Sequence, residues 1–265
     1  MPIQTLNNIH LYYEQHGKGP DLVLIGGLSS DHQVWRSPLR IFSQHFRVLI
    51  FDNRGAGRSS TPDYPYTIEM MANDTIELMD ALHIEKAHIL GHSMGGGIAM
   101  QMALLAPKKI NKLIVVSSRP CIGEPARMYF AMREKLKKQN ISEGLLAEYM
   151  MPILFGEKFL SNQANVKGFA QWTVRNPNPQ SMIGYHHQLH ASSTRDISGE
   201  LHNISAETLL VNGTEDALVP YLYAQNLAKK FQRGKLVTLP ECGHMPHVEY
   251  PEKLAEVVME FIQPK

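Results

Sequence analysis

Four short runs constrain this chain more than anything else in it: DLVLIGG (21–27), FRVLIFD (46–52), KAHILGH (86–92) and KLIVVSS (112–118). Each is rich in leucine, isoleucine or valine and ends in small or polar residues. None alternates strictly between apolar and polar, as a strand with one wet face would, so they read as strands buried on both faces. Helical patterns separate them, over roughly 66–83 and 94–106, and Pro107 closes the second. Alternation of this kind predicts a mostly parallel sheet covered by helices. Ahead of it, IQTL and IHLYYEQ flank Asn7-Asn8, a pair suited to the positive φ angles of a tight hairpin.

The rhythm breaks after Ser118. Residues 119–204 carry helix-like patches, such as PARMYFAMREKLKKQN and SEGLLAEYMMPILF, and no buried-strand signal. It resumes with ETLLVNGTED (207–216), a helix near 220–232, KLVTLPECGH (235–244) and a closing helix near 252–262. The expectation is an eight-stranded α/β core built from 1–118 and 205–265, with 119–204 as a helical cap, far longer than an ordinary loop. A formal net charge of +1 gives no bulk field that would recruit nucleic acid or anionic lipid. The N-terminus has no secretion-signal pattern, and no apolar stretch reaches the length of a membrane span. Two cysteines are too few for a disulfide framework. These features predict a soluble, cytoplasmic protein with no membrane or nucleic-acid partner.

Within ILGHSMGGGIAM (89–100), Ser93 stands between Gly91 and Gly95, directly after a buried strand and directly before an apolar helix. A G-x-S-x-G match alone is weak, but the strand–turn–helix setting is the one this motif requires. So sharp a turn forces the serine into a backbone region costing about 1–3 kcal/mol. It also brings strand and helix backbones together, and the two glycines remove the resulting collisions. The Ser93 hydroxyl is thereby left exposed above the sheet edge at a helix N-terminus. The unpaired amide of Met94 can point at a developing oxyanion.

A serine needs a base, and the base an orienting group. In an open parallel sheet both belong in loops beyond the carboxyl ends of later strands. LLVNGTEDALVP offers Glu215 and Asp216; TLPECGHMPHVEYPE offers His244 and His247.

This order of serine, acid and histidine resembles the α/β-hydrolase fold family over nearly the whole chain. GHSMGG is similar to its nucleophile elbow and FDNRGAGRSS (51–60) to its D-x-R-G-x-G-x-S segment. NGTEDALVP matches its acid loop and CGHMPHVEYPE its G-H-x-P-x-x-E-x-P histidine loop. The resemblance implies Ser93 as nucleophile, Asp216 as acid (the G-x-x-D step begins at Gly213) and His244 as base. It leaves His247 as an ordinary surface residue and Arg54 and Arg58 as structural. The second oxyanion donor is expected in the loop after DLVLIGG. Here the usual H-G-x is Gly26-Gly27-Leu28, so Leu28 is assigned, with Gly27 as the alternative.

The same resemblance implies hydrolysis of a small carboxylic ester or lactone through an acyl-enzyme, as in small carboxylesterases and 3-oxoadipate enol-lactonases. Aspartate-nucleophile branches are disfavoured by Ser93. A pimeloyl-carrier methyl esterase is the alternative, its basic run RMYFAMREKLKK meeting an acidic acyl carrier protein. An acyltransferase or a C–C bond hydrolase would use the same three residues. No dinucleotide or phosphate-loop spacing is present, and His186, His187 and His190 lack the companions of a zinc site, so no cofactor or metal is expected.

Overall fold

The computed structural model describes residues 2–6 and 8–263. Eight strands form the sheet: β1 (Ile3–Leu6), β2 (Ile9–His16), β3 (Asp21–Ile25), β4 (Arg47–Phe51), β5 (Ala87–His92), β6 (Ile110–Val116), β7 (Glu207–Gly213) and β8 (Gly234–Leu239). Their order across it is β1-β2-β4-β3-β5-β6-β7-β8. The first two strands pair antiparallel, β2 pairs antiparallel with β4, and every pairing from β4 to β8 is parallel. Asn8, at φ 65°, takes the expected turn conformation between β1 and β2, while Asn7 of that pair lies outside the described residues.

The absence of alternation in the central runs has the expected cause: all six residues of β5 are buried, as are six of the seven in β7. Helices cover both faces. On one face α2 (Ile68–Ala81) and α3 (Met94–Leu105) pack with Val23, Ile89 and Val115. On the other, α1 (Arg36–Phe42) and the C-terminal helix (Pro251–Ile262) pack with Leu24, Leu90 and Ile114. The helix anticipated over 220–232 is shorter, Tyr221–Ala228.

Between β6 and β7 run α4 (Glu124–Lys138), α5 (Glu143–Leu154), α6 (Glu157–Leu160), α7 (Gln163–Val174) and α8 (Met182–Thr194), with no strand from 119 to 204. Hydrogen bonds to backbone carbonyls and one close backbone approach seat this insertion on the sheet's loops. Gln188 Nε2 donates to the Arg54 carbonyl at 2.7 Å and Gln180 Nε2 to the Gly55 carbonyl at 2.8 Å. Gly184 lies so close to Gly55 that a Cβ there would stand 2.1 Å from its oxygen. At the opposite end His244 N donates to the Leu154 carbonyl at 2.8 Å. Arg54 and Arg58 turn out structural: Arg54 makes a buried two-pronged ion pair with Asp74, and Arg58 lies over the Tyr12 ring. Among the described residues no helix is long and apolar enough to cross a membrane.

Candidate active site

The strand-to-helix turn after β5 holds Ser93 at φ 54°, ψ −121°, well outside the regions an L-residue prefers. The residues two positions either side are glycines because backbone oxygens occupy the space a side chain would need. A Cβ at Gly91 would stand 2.1 Å from the Gly95 oxygen, and one at Gly95 would stand 2.2 Å from that of Ile25. The strained residue is fixed on both sides: Ser93 N donates to the Val116 carbonyl at 3.0 Å, and Ser118 Oγ donates to the Ser93 carbonyl at 2.6 Å.

Three loops converge on the Ser93 hydroxyl. It lies 3.0 Å from His244 Nε2, and His244 Nδ1 lies 3.0 and 2.9 Å from the two Asp216 oxygens. Asp216 can only accept from Nδ1, so the imidazole carries its proton there and presents a lone pair to the serine. Asp216 Oδ1 also accepts from the amides of Leu218 and Val219, at 2.9 and 2.8 Å, which holds the buried carboxylate in place. Glu215 points elsewhere, accepting from the Glu157 amide at 2.7 Å.

The His244 loop is held from below by Glu249, whose carboxylate accepts from the amides of Gly243 and Gly156, both at 2.9 Å. Burial raises the Glu249 carboxyl above its ordinary pKa, and these amide donors work against the shift. Cys242, fully buried beside it, has its thiol pushed up by burial and is an inert packed residue.

His247 is not the surface residue expected: its exposure is 0 %, with its ring against Trp35 and His92. Burial pushes its pKa down to about 3, so the imidazole is neutral. The helical turn that starts at Pro246 carries it inward beneath His244. His92 is similarly buried, its pKa held well below the ordinary range by desolvation, and its Nε2 donates to the His244 carbonyl at 2.8 Å.

Two cavities meet at Ser93 and His244. The smaller, about 520 Å³, is lined by Met94, Arg119, Ile122 and Leu218 among others. The larger, about 1060 Å³ and partly open, runs under the insertion past Arg133, Leu146, Met150 and Trp172. Leu28 lines both, whereas Gly27 lines only the larger. Among the described residues neither the Leu28 amide nor that of Met94 donates to a protein acceptor, so both are free for a ligand oxygen.

Residues 20–251 match the family described as the alpha/beta hydrolase fold. The chain belongs to that family. Among solved structures, this α/β-hydrolase superposes on the enol-lactonase from Burkholderia xenovorans LB400 with a TM-score of 0.88 at 26 % identity, covering 98 % of this chain and 99 % of that one. It is 31 % identical over 271 residues to the provisionally named carbamate hydrolase RutD of Caulobacter sp. strain K31, covering 95 % of each. It is also 28 % identical over 268 residues to a pimeloyl-[acyl-carrier protein] methyl ester esterase of Nitrosospira multiformis, covering 97 % of this chain and 99 % of the relative. The α/β-hydrolase described here is an enzyme of the ester-hydrolase type.

Glu249 and His92 both fall inside the quoted motifs, yet their residue types and spacing alone assign neither a role. The cavity-facing residues of α4 were legible in principle, since Ala126, Phe130, Arg133 and Lys137 recur at helical spacing. The three histidines at 186, 187 and 190 diverge to Glu134, Asp63 and the Tyr66 carbonyl.

Proposed function

We propose that this enzyme hydrolyses a small carboxylic ester or lactone through an acyl-enzyme formed on Ser93. The reading is carried by one continuous line of hydrogen bonds, from Ser93 Oγ through His244 to Asp216. As Oγ attacks the carbonyl carbon, His244 Nε2 takes the hydroxyl proton, and Asp216 stabilises the imidazolium without itself being protonated. The free amides of Leu28 and Met94 receive the oxyanion; losing one such donor costs about 3 kcal/mol. Leu28 is favoured over Gly27 because it borders both cavities, where an acyl and an alcohol part would diverge. His244 then returns its proton to the leaving alkoxide, which in a lactone stays tethered to the acyl group. Water, deprotonated by the same imidazole, cleaves the acyl-enzyme and restores the serine.

A free small molecule suits the site better than a carrier-bound ester, because three of the five basic residues in the run on α4 are ion-paired and Arg133 lines the cavity. Arg127 pairs with Glu124, Lys138 with Glu134 and Lys137 with Glu143. A carbamate presents the same trigonal carbonyl, and a carbamate-hydrolase relative favours including one in the substrate panel. The test is a series of short- and medium-chain p-nitrophenyl esters, lactones and one carbamate, run with wild type and Ser93→Ala. Esters or lactones should be turned over, and the substitution should lower kcat/KM by roughly 1,000-fold or more. Hydrolysis that survives Ser93→Ala would overturn the assignment.

A further inference from the structure

A second strained serine lies beside the nucleophile. Ser117 stands one place past Val116, and Val116 pairs with His92, so the two serines follow neighbouring ends of β5 and β6. Both take a positive φ, 54° at Ser93 and 47° at Ser117, which a residue with a side chain adopts at a cost. The backbone there is held from both sides. The Ser117 amide donates to the Val211 carbonyl at 2.8 Å, and the Val116 carbonyl accepts from the Ser93 amide. The side chain is not held. Ser117 is 1 % exposed, its Oγ has no hydrogen-bond partner among the described residues, and it lines the smaller cavity with Ser93 and His244. Other buried polar atoms also lack partners, Arg119 Nε in the same cavity among them. Two things set Ser117 apart: among the described residues it alone combines such an atom with a positive φ, and it adjoins the nucleophile. The Arg119 guanidinium, by contrast, already lies over the Tyr223 ring, 3.8 Å from its centroid.

Backbone strain and an unpaired buried hydroxyl each cost free energy, and both concentrate where a site uses them. The order of the strands indicates which step uses this one. Along β3-β5-β6-β7-β8, Ser117 follows β6 and so falls between Ser93, after β5, and Asp216, after β7. The loop carrying Leu28 follows β3 and lies on the other side of Ser93. Water that cleaves the acyl-enzyme must arrive on the histidine side, because His244 takes its proton. We propose that Ser117 is a further catalytic residue, whose hydroxyl donates to that water during deacylation. Ser117 occupies one lone pair of the water, His244 Nε2 receives a proton from it, and the other lone pair faces the acyl carbon. The new C–O bond forms as that proton passes to Nε2. The tetrahedral carbon then expels Ser93 Oγ, which recovers the proton from His244, and the carboxylic acid product departs. Ser117 keeps its own proton throughout and stabilises the negative charge growing on the water oxygen. The inference rests on the hydrolase reading and assigns a residue to its second half.

The test separates the two halves of turnover with p-nitrophenyl acetate, whose leaving group departs without needing a proton. Here kcat/KM reports the steps up to acylation, whereas kcat also contains deacylation. Stopped-flow absorbance resolves the first equivalent of p-nitrophenolate from the turnover that follows it. Ser117→Ala should leave kcat/KM and the rate of that first equivalent within about 2-fold of wild type. The deacylation rate constant should fall roughly 10- to 100-fold, so that kcat and KM drop together once deacylation limits turnover. Intact-protein and peptide mass analysis during turnover should then find acetyl accumulated on Ser93. Ser117→Gly, which adopts φ 47° without strain, should show the same kinetics with no loss of Tm, which separates the missing hydroxyl from damage to the fold. A deacylation rate constant unmoved in both variants overturns the proposal. So does a fall in kcat/KM as large as that in kcat, since the hydroxyl would then serve the ester and not the water. An acetyl group on Ser93 whose breakdown ignores residue 117 leaves the hydrolase reading standing and sinks this inference alone, while a wild type that releases no p-nitrophenolate sinks both.

Discussion

At the sheet edge, the segments that bear on the chemistry are tied down through their backbone amides and carbonyls or held by them. Ser93 is tied to Val116 and Ser118, Asp216 to the amides of Leu218 and Val219, and the His244 loop to Glu249 and Leu154. Across the cavity the insertion is held differently. Its outer helices are thinly packed: only Ala126 and Phe130 of α4 are buried and no residue of α7 is, against four of α5, six of α8 and ten of α3. Its inner face mixes Met150 and Trp172 with Arg133, Lys137 and Glu143. The contrast assigns the two regions different work: a preorganised edge suits charge stabilisation, while a loosely packed, mixed wall suits discrimination among substrates.

The sharpest way to break this division is to damage the core away from the site. Asp74→Asn leaves Arg54 as an uncompensated buried charge and should cost about 3–5 kcal/mol in a urea titration. The activity of each folded molecule should be unchanged. Lost activity with stability retained would mean that the pair acts on the site rather than on the frame.

A smaller effect comes from acid. His247 titrates near pH 3 when folded and near pH 6.5 when unfolded, so the unfolded chain binds more protons between those values. Stability should therefore fall as pH drops from 6.5. His247 alone accounts for about 2 kcal/mol by pH 5. His88, lowered to about 4, adds to the same loss. His247→Phe should flatten the fall in Tm between pH 6.5 and 5, and an unchanged slope would refute the buried neutral imidazole. Smallest of all, Trp172→Leu should shift acyl-chain preference by roughly 10-fold or less while Tm barely moves. A large loss of Tm would place Trp172 in the frame.

What could be read from the sequence divides along the same line. The strands and the Ser93 turn were legible because backbone sterics permit few residue types there, as the oxygens crowding Gly91 and Gly95 show. The glycine step before Asp216 and the loop around His244 carry similar constraints. His247 was misplaced because a histidine next to a proline gives no sign of which way its ring turns. The half-buried position of Glu249 depends on amides at 156 and 243, distant from it in the chain or unremarkable in composition. The insertion was legible as helix, and one face of α4 shows in its spacing, but nothing in the sequence says that this face meets the cavity.

The central claim is that Ser93 is the atom-bearing nucleophile, and a stoichiometric phosphylating ester tests it most directly. Diethyl p-nitrophenyl phosphate should release one equivalent of p-nitrophenol per chain, and peptide mass analysis should find the diethylphosphoryl group on Ser93. Modification should vanish in Ser93→Ala and slow sharply in His244→Gln. A label on another residue, or undiminished labelling of Ser93→Ala, would contradict the account.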